Sequence, residues 1–415
     1  MSAAPKSRST PLNGSFRGED YRTLGALVMA MLSMATGVGF IIPLLPVYAE
    51  TLGATGAWIG LIFAANPFVR GMMMMTFGSL ADYRSKKMLM SIGLVGYIFI
   101  SLGFVLASQP YHLLLLRTMQ GVFSAMVSPI ARAYAGDISP PSREGEVMGK
   151  INFGFFCGFA AGPIIGGLFA DVFGFHAPFY AMAVLSATAF VCIRLFVPEQ
   201  PSRTRPKEMA PPSVIMRSVE LLRVEVIRGV MALRGLVEVG RGALTALLPL
   251  FAYLTLGLSS SEVGIMIALR ALISALMQRP FGRLADRYNR KWLALLGFSL
   301  APVGFVLLPL SQNVVHLVLV SVLLGMSNGI SVPATFAIAV DQGRRLGMGR
   351  VMGLEAMVQS FFLALGSTLG GAALDFVGMT RVFQGAAGVC LLGIALSLWW
   401  LRAYRPIAQV PANLN

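Results

Sequence analysis

The groups able to do chemistry in this chain are few, and almost all are charges set in apolar surroundings. Arg234, Glu238 and Arg241 stand at four- and three-residue intervals, which places them on one face of a helix. Asn66 and Arg70 are four apart, and Arg270 stands alone within a long apolar run. A carboxylate beside guanidinium groups can alternate between ion pairing and protonation, so the chemistry on offer is proton exchange and charge compensation. Glu238 is the one acid expected near the centre of an apolar run, which makes it the first candidate for proton coupling. The alternative is that it only neutralises a neighbouring arginine and holds helices together. It cannot neutralise Arg70, Arg117, Arg234, Arg241 and Arg270 together, so a site they line would carry excess positive charge and prefer neutral or anionic solutes. Covalent and metal chemistry have no candidates. No metal-binding His pair, nucleophile motif or phosphate-binding loop appears where such chemistry needs it. Cys157, Cys192 and Cys390 are isolated, and no cofactor or metal is expected.

The elements that must hold these charges are membrane spans. The chain has 415 residues, of which 56% are hydrophobic and 12% charged, with a mean hydropathy of +0.73. Apolar stretches about 20 residues long, enough to cross a bilayer core, recur along its length. The expected spans are 23–49, 57–79, 88–107, 111–135, 148–173 and 178–197, then 226–253, 261–283, 292–311, 314–339, 350–376 and 380–402. Helices are expected because backbone groups in lipid must be satisfied within the segment, and the runs lack the alternation of a barrel strand. The organisation is a tail (1–22), a six-helix bundle (23–197), a linker (198–225), a second six-helix bundle (226–402) and a closing tail (403–415). Residues 214–223 at the end of the linker could form a short amphipathic surface helix.

The net charge of +15 invites a nucleic-acid partner, but its distribution argues otherwise. Basic residues gather in the even-numbered connections and both tails, while odd-numbered connections hold almost none. That asymmetry is the positive-inside pattern, and it places both termini in the cytoplasm. The expected location is a bacterial inner membrane.

A shift of 204 residues lays the chain over itself. Gly78-Ser79-Leu80-Ala81-Asp82 falls on Gly282-Arg283-Leu284-Ala285-Asp286, His112 on His316, Pro129 on Pro333, Asp137 on Asp341 and Asp171 on Asp375. The chain is a duplicated apolar unit, a plan that places a central site between two halves.

The stretch Gly78-x-Leu80-Ala81-Asp82-x-Arg84-x-Lys86-Lys87 resembles the signature between spans two and three of the major facilitator superfamily, and it recurs as Gly282, Asp286, Arg290 and Lys291. The resemblance covers nearly the whole chain and implies an all-α fold of twelve transmembrane helices in two pseudo-symmetric bundles. It implies that this basic cluster latches the bundles on the cytoplasmic side. Span five carries Gly158-x-x-x-Gly162-Pro163-x-x-Gly166-Gly167, similar to the signature of the proton-coupled drug exporters of that superfamily; helix packing alone is the other account of the glycines. Leu114-x-x-Arg117-x-x-Gln120-Gly121 resembles a third signature of the group, whose arginine is linked to proton coupling, so Arg117 joins Glu238 as a coupling candidate. An arginine inside a span costs about 2.5 to above 10 kcal/mol in lipid, so Arg117 should face a polar interior unless it snorkels to the outer interface.

The resemblance further implies that spans one, four, seven and ten line the cavity, flanked by two, five, eight and eleven. Cavity candidates are then Phe40, Asn66, Arg70, Gln120, Arg234, Arg241, Arg270, Met326 and Asn328. The expected function is export of a small organic or amphipathic solute against protons by alternating access, acting as a monomer in contact with lipid and without a nucleic-acid partner. An importer or uniporter of an anionic metabolite or lipid on the same fold is the second expectation, and a membrane enzyme or receptor a remote third.

Overall fold

The computed structural model describes residues 18–139, 144–199, 220–346 and 348–403, apart from a few side chains within them. No strand occurs among these residues. The first half forms α1 (Gly18–Thr51), α2 (Gly56–Tyr83), α3 (Lys86–Val105), α4 (Pro110–Ile138), α5 (Glu144–Phe173) and α6 (Ala177–Phe196). The second forms α7 (Glu225–Leu256), α8 (Ser260–Arg287), α9 (Arg290–Leu307) and α10 (Val314–Leu346). The run Met348–Trp400 is divided where Gly378 leaves helical geometry (φ 76, ψ 164), giving α11 (348–377) and α12 (379–400). The expected surface helix falls mostly on 200–219, outside the described residues; Glu220–Arg223 is a single 3-10 turn.

The duplication governs local structure. Among the described residues the four glycines with positive φ form two pairs at the repeat offset, Gly53 (φ 81) with Gly257 (φ 63) and Gly174 (φ 90) with Gly378 (φ 76). A residue with a Cβ would be strained at each of these turns. Ser85 caps α3 by accepting from the Met88 amide, and its repeat mate Asn289 caps α9 by accepting from the Lys291 amide. His112 Nδ1 accepts the Ser108 amide, and His316 Nδ1 accepts the Gln312 amide. These histidines brace helix starts and take no part in a central relay.

Within the first bundle α1 packs on α5 and α6, α2 and α3 pack on α4, and α3 packs on α6. In the second, α7 lies along α11 and α12, while α8 and α9 pack on α10. The bundles are joined chiefly by α2 with α11 and α5 with α8, with smaller contacts of α1 and α2 on α7 and of α1 on α8. The face where α1 begins and α12 ends is called here the terminal face, and the opposite one the distal face. One apolar core cluster draws on both bundles and includes the distal residues Phe40, Tyr48, Leu250 and Phe251. Toward the terminal face each bundle has a cluster of its own, one around Leu27, Met90 and Ile193 and the other around Ile227, Ile338 and Leu354. The bundles share a core at one end and separate at the other.

Candidate functional site

The seam between the bundles is built from glycines and two acids. At its distal end a methyl group on Gly371 of α11 would lie 2.6 Å from the α-carbon of Gly60 of α2, closer than side-chain carbons pack. The second crossing is equally tight, with Gly167 of α5 against the Ser260 carbonyl and Gly264 of α8 against the Pro163 carbonyl. Asp375 Oδ1 accepts the Gly56 amide at 2.7 Å and its Oδ2 accepts the Ala57 amide at 2.9 Å. Asp171 Oδ2 accepts the Ser261 amide at 2.9 Å. Each carboxylate thus caps the first turn of a helix in the other bundle, where unpaired amides and the helix dipole favour negative charge. The α2–α11 contact continues to Gly71 and Ser360, but Gly78, Gly149 and Gly353, nearer the terminal face, meet nothing within 4 Å. The molecule is closed distally and open toward the terminal face.

The span-five glycines divide between two neighbours. Gly158, Gly162 and Gly166 admit α1 of their own bundle, the latter two lying 2.8 Å from the Gly39 and Phe40 α-carbons once a methyl is placed on them. Gly167 and Pro163 meet α8 of the other bundle. Phe40, expected in the cavity, is 3% exposed and sealed into this α1–α5 packing of the distal core. The close approach of α5 leaves it no route to open space in this state.

The basic signature residues are paired inside their own bundles. Lys86 pairs with Asp137, and at the repeat offset Arg290 pairs with Asp341. Lys87 donates to the Arg194 carbonyl at 2.8 Å, Lys291 stacks on Trp292, and Arg84 is exposed. None of these described contacts crosses the seam. The side chains of Asp82 and Asp286 lie outside the described residues.

Interior charges differ between the bundles. In the first, Arg117 is 5% exposed. Its Nη1 donates to Gln120 Oε1 at 2.7 Å, its Nε donates to the Ile62 carbonyl at 3.3 Å, and its guanidinium lies over the Phe63 ring. Asn66 Nδ2 donates to the same Gln120 oxygen at 3.4 Å, so these residues form one α2–α4 network and Arg117 does not snorkel. Arg132 was overlooked in the sequence because it lies close to the terminal end of α4; its Nη1 donates to Ser128 Oγ and it covers the Phe155 ring.

The second bundle holds its arginines with acids. Arg234 Nη2 lies 2.6 Å from Glu355 Oε1, its Nη1 donates to Thr335 Oγ1 at 3.1 Å, and its Cζ stands 4.8 Å from the Phe336 ring centroid. Arg241 Nε lies 3.0 Å from Glu238 Oε2, and Gln359 Nε2 donates to Glu238 Oε1 at 3.2 Å. In both ion pairs the carboxylate oxygen facing the arginine lacks an aligned hydrogen bond, so Coulomb attraction holds the contact. Glu238 is therefore not the only interior acid: Glu355 is buried beside Arg234, seven residues into α11. The four-residue spacing of Glu355 and Gln359 was the available signal. Arg70, Arg270, Met326 and Asn328 are half-buried.

Comparison with known proteins agrees with this architecture. The model of the Major Facilitator Superfamily matches residues 27–235 and 230–414, one match per half. An uncharacterized MFS-type transporter of Methanocaldococcus jannaschii is 31% identical over 353 residues, covering 85% of this chain and 91% of the relative. Multidrug resistance protein MdtG of Serratia proteamaculans is 28% identical over 383 residues, covering 89% of this chain and 92% of that protein. Among solved structures, an inward-facing bacterial homolog of the human lysosomal transporter Spinster has a TM-score of 0.78 at 14% identity, covering 95% of this chain and all of that one. The human organic anion transporter MFSD10 has a TM-score of 0.66 at 19% identity and covers 92% of this chain, a likeness of fold alone. With a duplicated six-helix plan and a family match across both halves, the chain is an integral membrane transporter of the Major Facilitator Superfamily.

Proposed function

We propose that the protein exports a small organic or amphipathic solute in exchange for protons, working as a monomer whose terminal face is cytoplasmic. The observation that carries this reading is the one-sided seam. Two bundles zipped distally and parted at the other end form one of the two states that alternating access requires. The resemblance of span five to the exporter signature and the relatives named for multidrug resistance favour outward transport. An inner-membrane location follows from the same relatives and from the basic terminal loops.

Glu238 is the proton carrier in this scheme. It is buried on α7, paired with Arg241 and bonded by Gln359 of α11. Protonation removes its side of the pair and releases Arg241; deprotonation restores it. A proton crossing about 100 mV supplies about 2.3 kcal/mol, enough for roughly a fifty-fold solute gradient. The test uses purified protein in liposomes with an imposed pH gradient and a panel of labelled solutes. Solute movement opposite to the proton flow, abolished in Glu238→Gln while solute binding persists, is expected. Solute flux indifferent to the gradient would replace exchange with uniport, and flux parallel to the proton flow would replace it with import.

A further inference from the structure

Four of the arginines set within the spans have partners. Arg234 and Arg241 take the two interior carboxylates, Arg117 uses Gln120 and a backbone carbonyl, and Arg132 uses Ser128. Arg70 and Arg270 make no hydrogen bond or ion pair with any described residue. Nη1 of Arg270 is buried without a partner, and Arg241 stands near enough to repel it. Arg132 bears on Arg70 in the same way. A guanidinium withdrawn from water without an acceptor is costly, and a like charge beside it raises the cost.

Their placement is matched. α2 and α8 are repeat mates, Arg270 falls on Asn66 at the offset of 204, and Arg70 lies one turn further along α2. Both helices belong to the seam. Each arginine comes after the zipped glycines of its helix (Gly56 and Gly60, or Gly264) and before the open terminal turn near Gly78 or Gly282. One guanidinium per bundle is thus held at nearly equal depth, Arg270 past the zipped Gly264 and Arg70 beside Gly71, where the α2–α11 contact meets Ser360.

We infer that the transported solute is an organic anion whose carboxylate, sulfonate or phosphonate is held by Arg270 from one bundle and Arg70 from the other. Rested on the export reading, this names the class of solute that the same site takes. A planar guanidinium grips an oxyanion with two parallel hydrogen bonds, which a neutral solute cannot replace and a cation would oppose. The anion also bears on the switch. When the terminal ends approach, two bare positive charges on opposite bundles are driven together; a bound oxyanion turns that repulsion into a shared contact. The loaded protein closes more easily than the empty one.

The test is equilibrium binding to the full chain in nanodiscs with no gradient, using labelled naphthoate, neutral naphthamide and cationic naphthylmethylammonium, which share one apolar body. Naphthoate is expected to bind at least about tenfold more tightly than the amide, with the cation weakest. Arg270→Gln should remove the preference, Arg270→Lys should keep part of it, and Arg70→Gln should reduce it. Thermal unfolding of the empty Arg270→Gln protein should be no lower than that of the parent, which separates loss of a binding group from loss of fold. Failure of all three probes to bind, equal binding of naphthoate and naphthamide, preference for the cation, or a preference that survives Arg270→Gln overturns the inference. Anion preference without proton-driven flux would refute the exchange reading and leave this site standing. Proton-driven export of the cation without anion binding would do the reverse.

Discussion

The distal and terminal ends of the seam are made from the same four helices and from glycines related by the same repeat, yet only the distal end is joined. Gly60 and Gly264 meet backbone across the seam, while Gly78 meets nothing and Gly282 only a distant Pro333 of its own bundle. Glycine therefore permits close approach without causing it. What distinguishes the distal end is a pair of carboxylates, Asp171 and Asp375, each attached to the start of a helix in the opposite bundle. At the terminal end the carboxylates Asp137 and Asp341 turn inward to Lys86 and Arg290 of their own bundles. Cross-bundle caps close one end; within-bundle pairs leave the other free to move.

The largest effect is expected from Gly371→Leu. Its Cβ would lie 2.6 Å from the Gly60 α-carbon, so the distal seam cannot close around it. Transport should be abolished, and distances between spin labels on α2 and α11 should show the distal end parted. Gly353→Leu, at a position that meets nothing within 4 Å, should leave those distances unchanged. Similar distal parting in both variants would break the comparison.

Smaller shifts are expected from the caps. Asp375→Asn loses charge at two amide contacts and Asp171→Asn at one, and caps of this kind are each worth about 1 kcal/mol. The distal-open population should rise roughly fivefold for Asp375→Asn and less for Asp171→Asn, with the double variant near the product. An unchanged population in the double variant would leave the glycines as the whole cause of closure. The smallest effect should come from Asp137→Asn. Its partner is in the same bundle and partly exposed, so it should cost no more than about 1 kcal/mol of stability by denaturant or heat, with no change in the open fraction. A clear change in opening would reassign that pair to the switch.

Much of the plan was legible in the residues. Apolar run length located the spans, and the register that joins Asp171 to Asp375 also joins the turns at Gly53 and Gly257. The basic loops were visible as signatures, but not whom they pair with. Periodicity shows which face a charge occupies and cannot show which helix stands opposite. For that reason sequence position alone does not choose Arg241 as the partner of Glu238, nor does it show that Glu355 meets Arg234 across the helix packing. Phe40 is buried in this state for a related reason: its exposure depends on how closely α5 approaches α1, which the glycines allow and only the packing reveals.

The distal caps bind main chain and not side chains, with consequences for how such a contact can change over generations. Asp375 takes amides from Gly56 and Ala57, and Asp171 takes one from Ser261. Any residue other than proline supplies that donor. Ala57 and Ser261 can therefore drift in type as long as the helix start is kept, while Gly56 is held by the Gly371 carbonyl packed against it, and the acid needs no compensating substitution on the other side. Correlated changes between aligned sequences, which expose side-chain pairs, would pass over this contact, although it joins the two halves of the molecule. Its trace would be one-sided: a retained acid facing a variable neighbour.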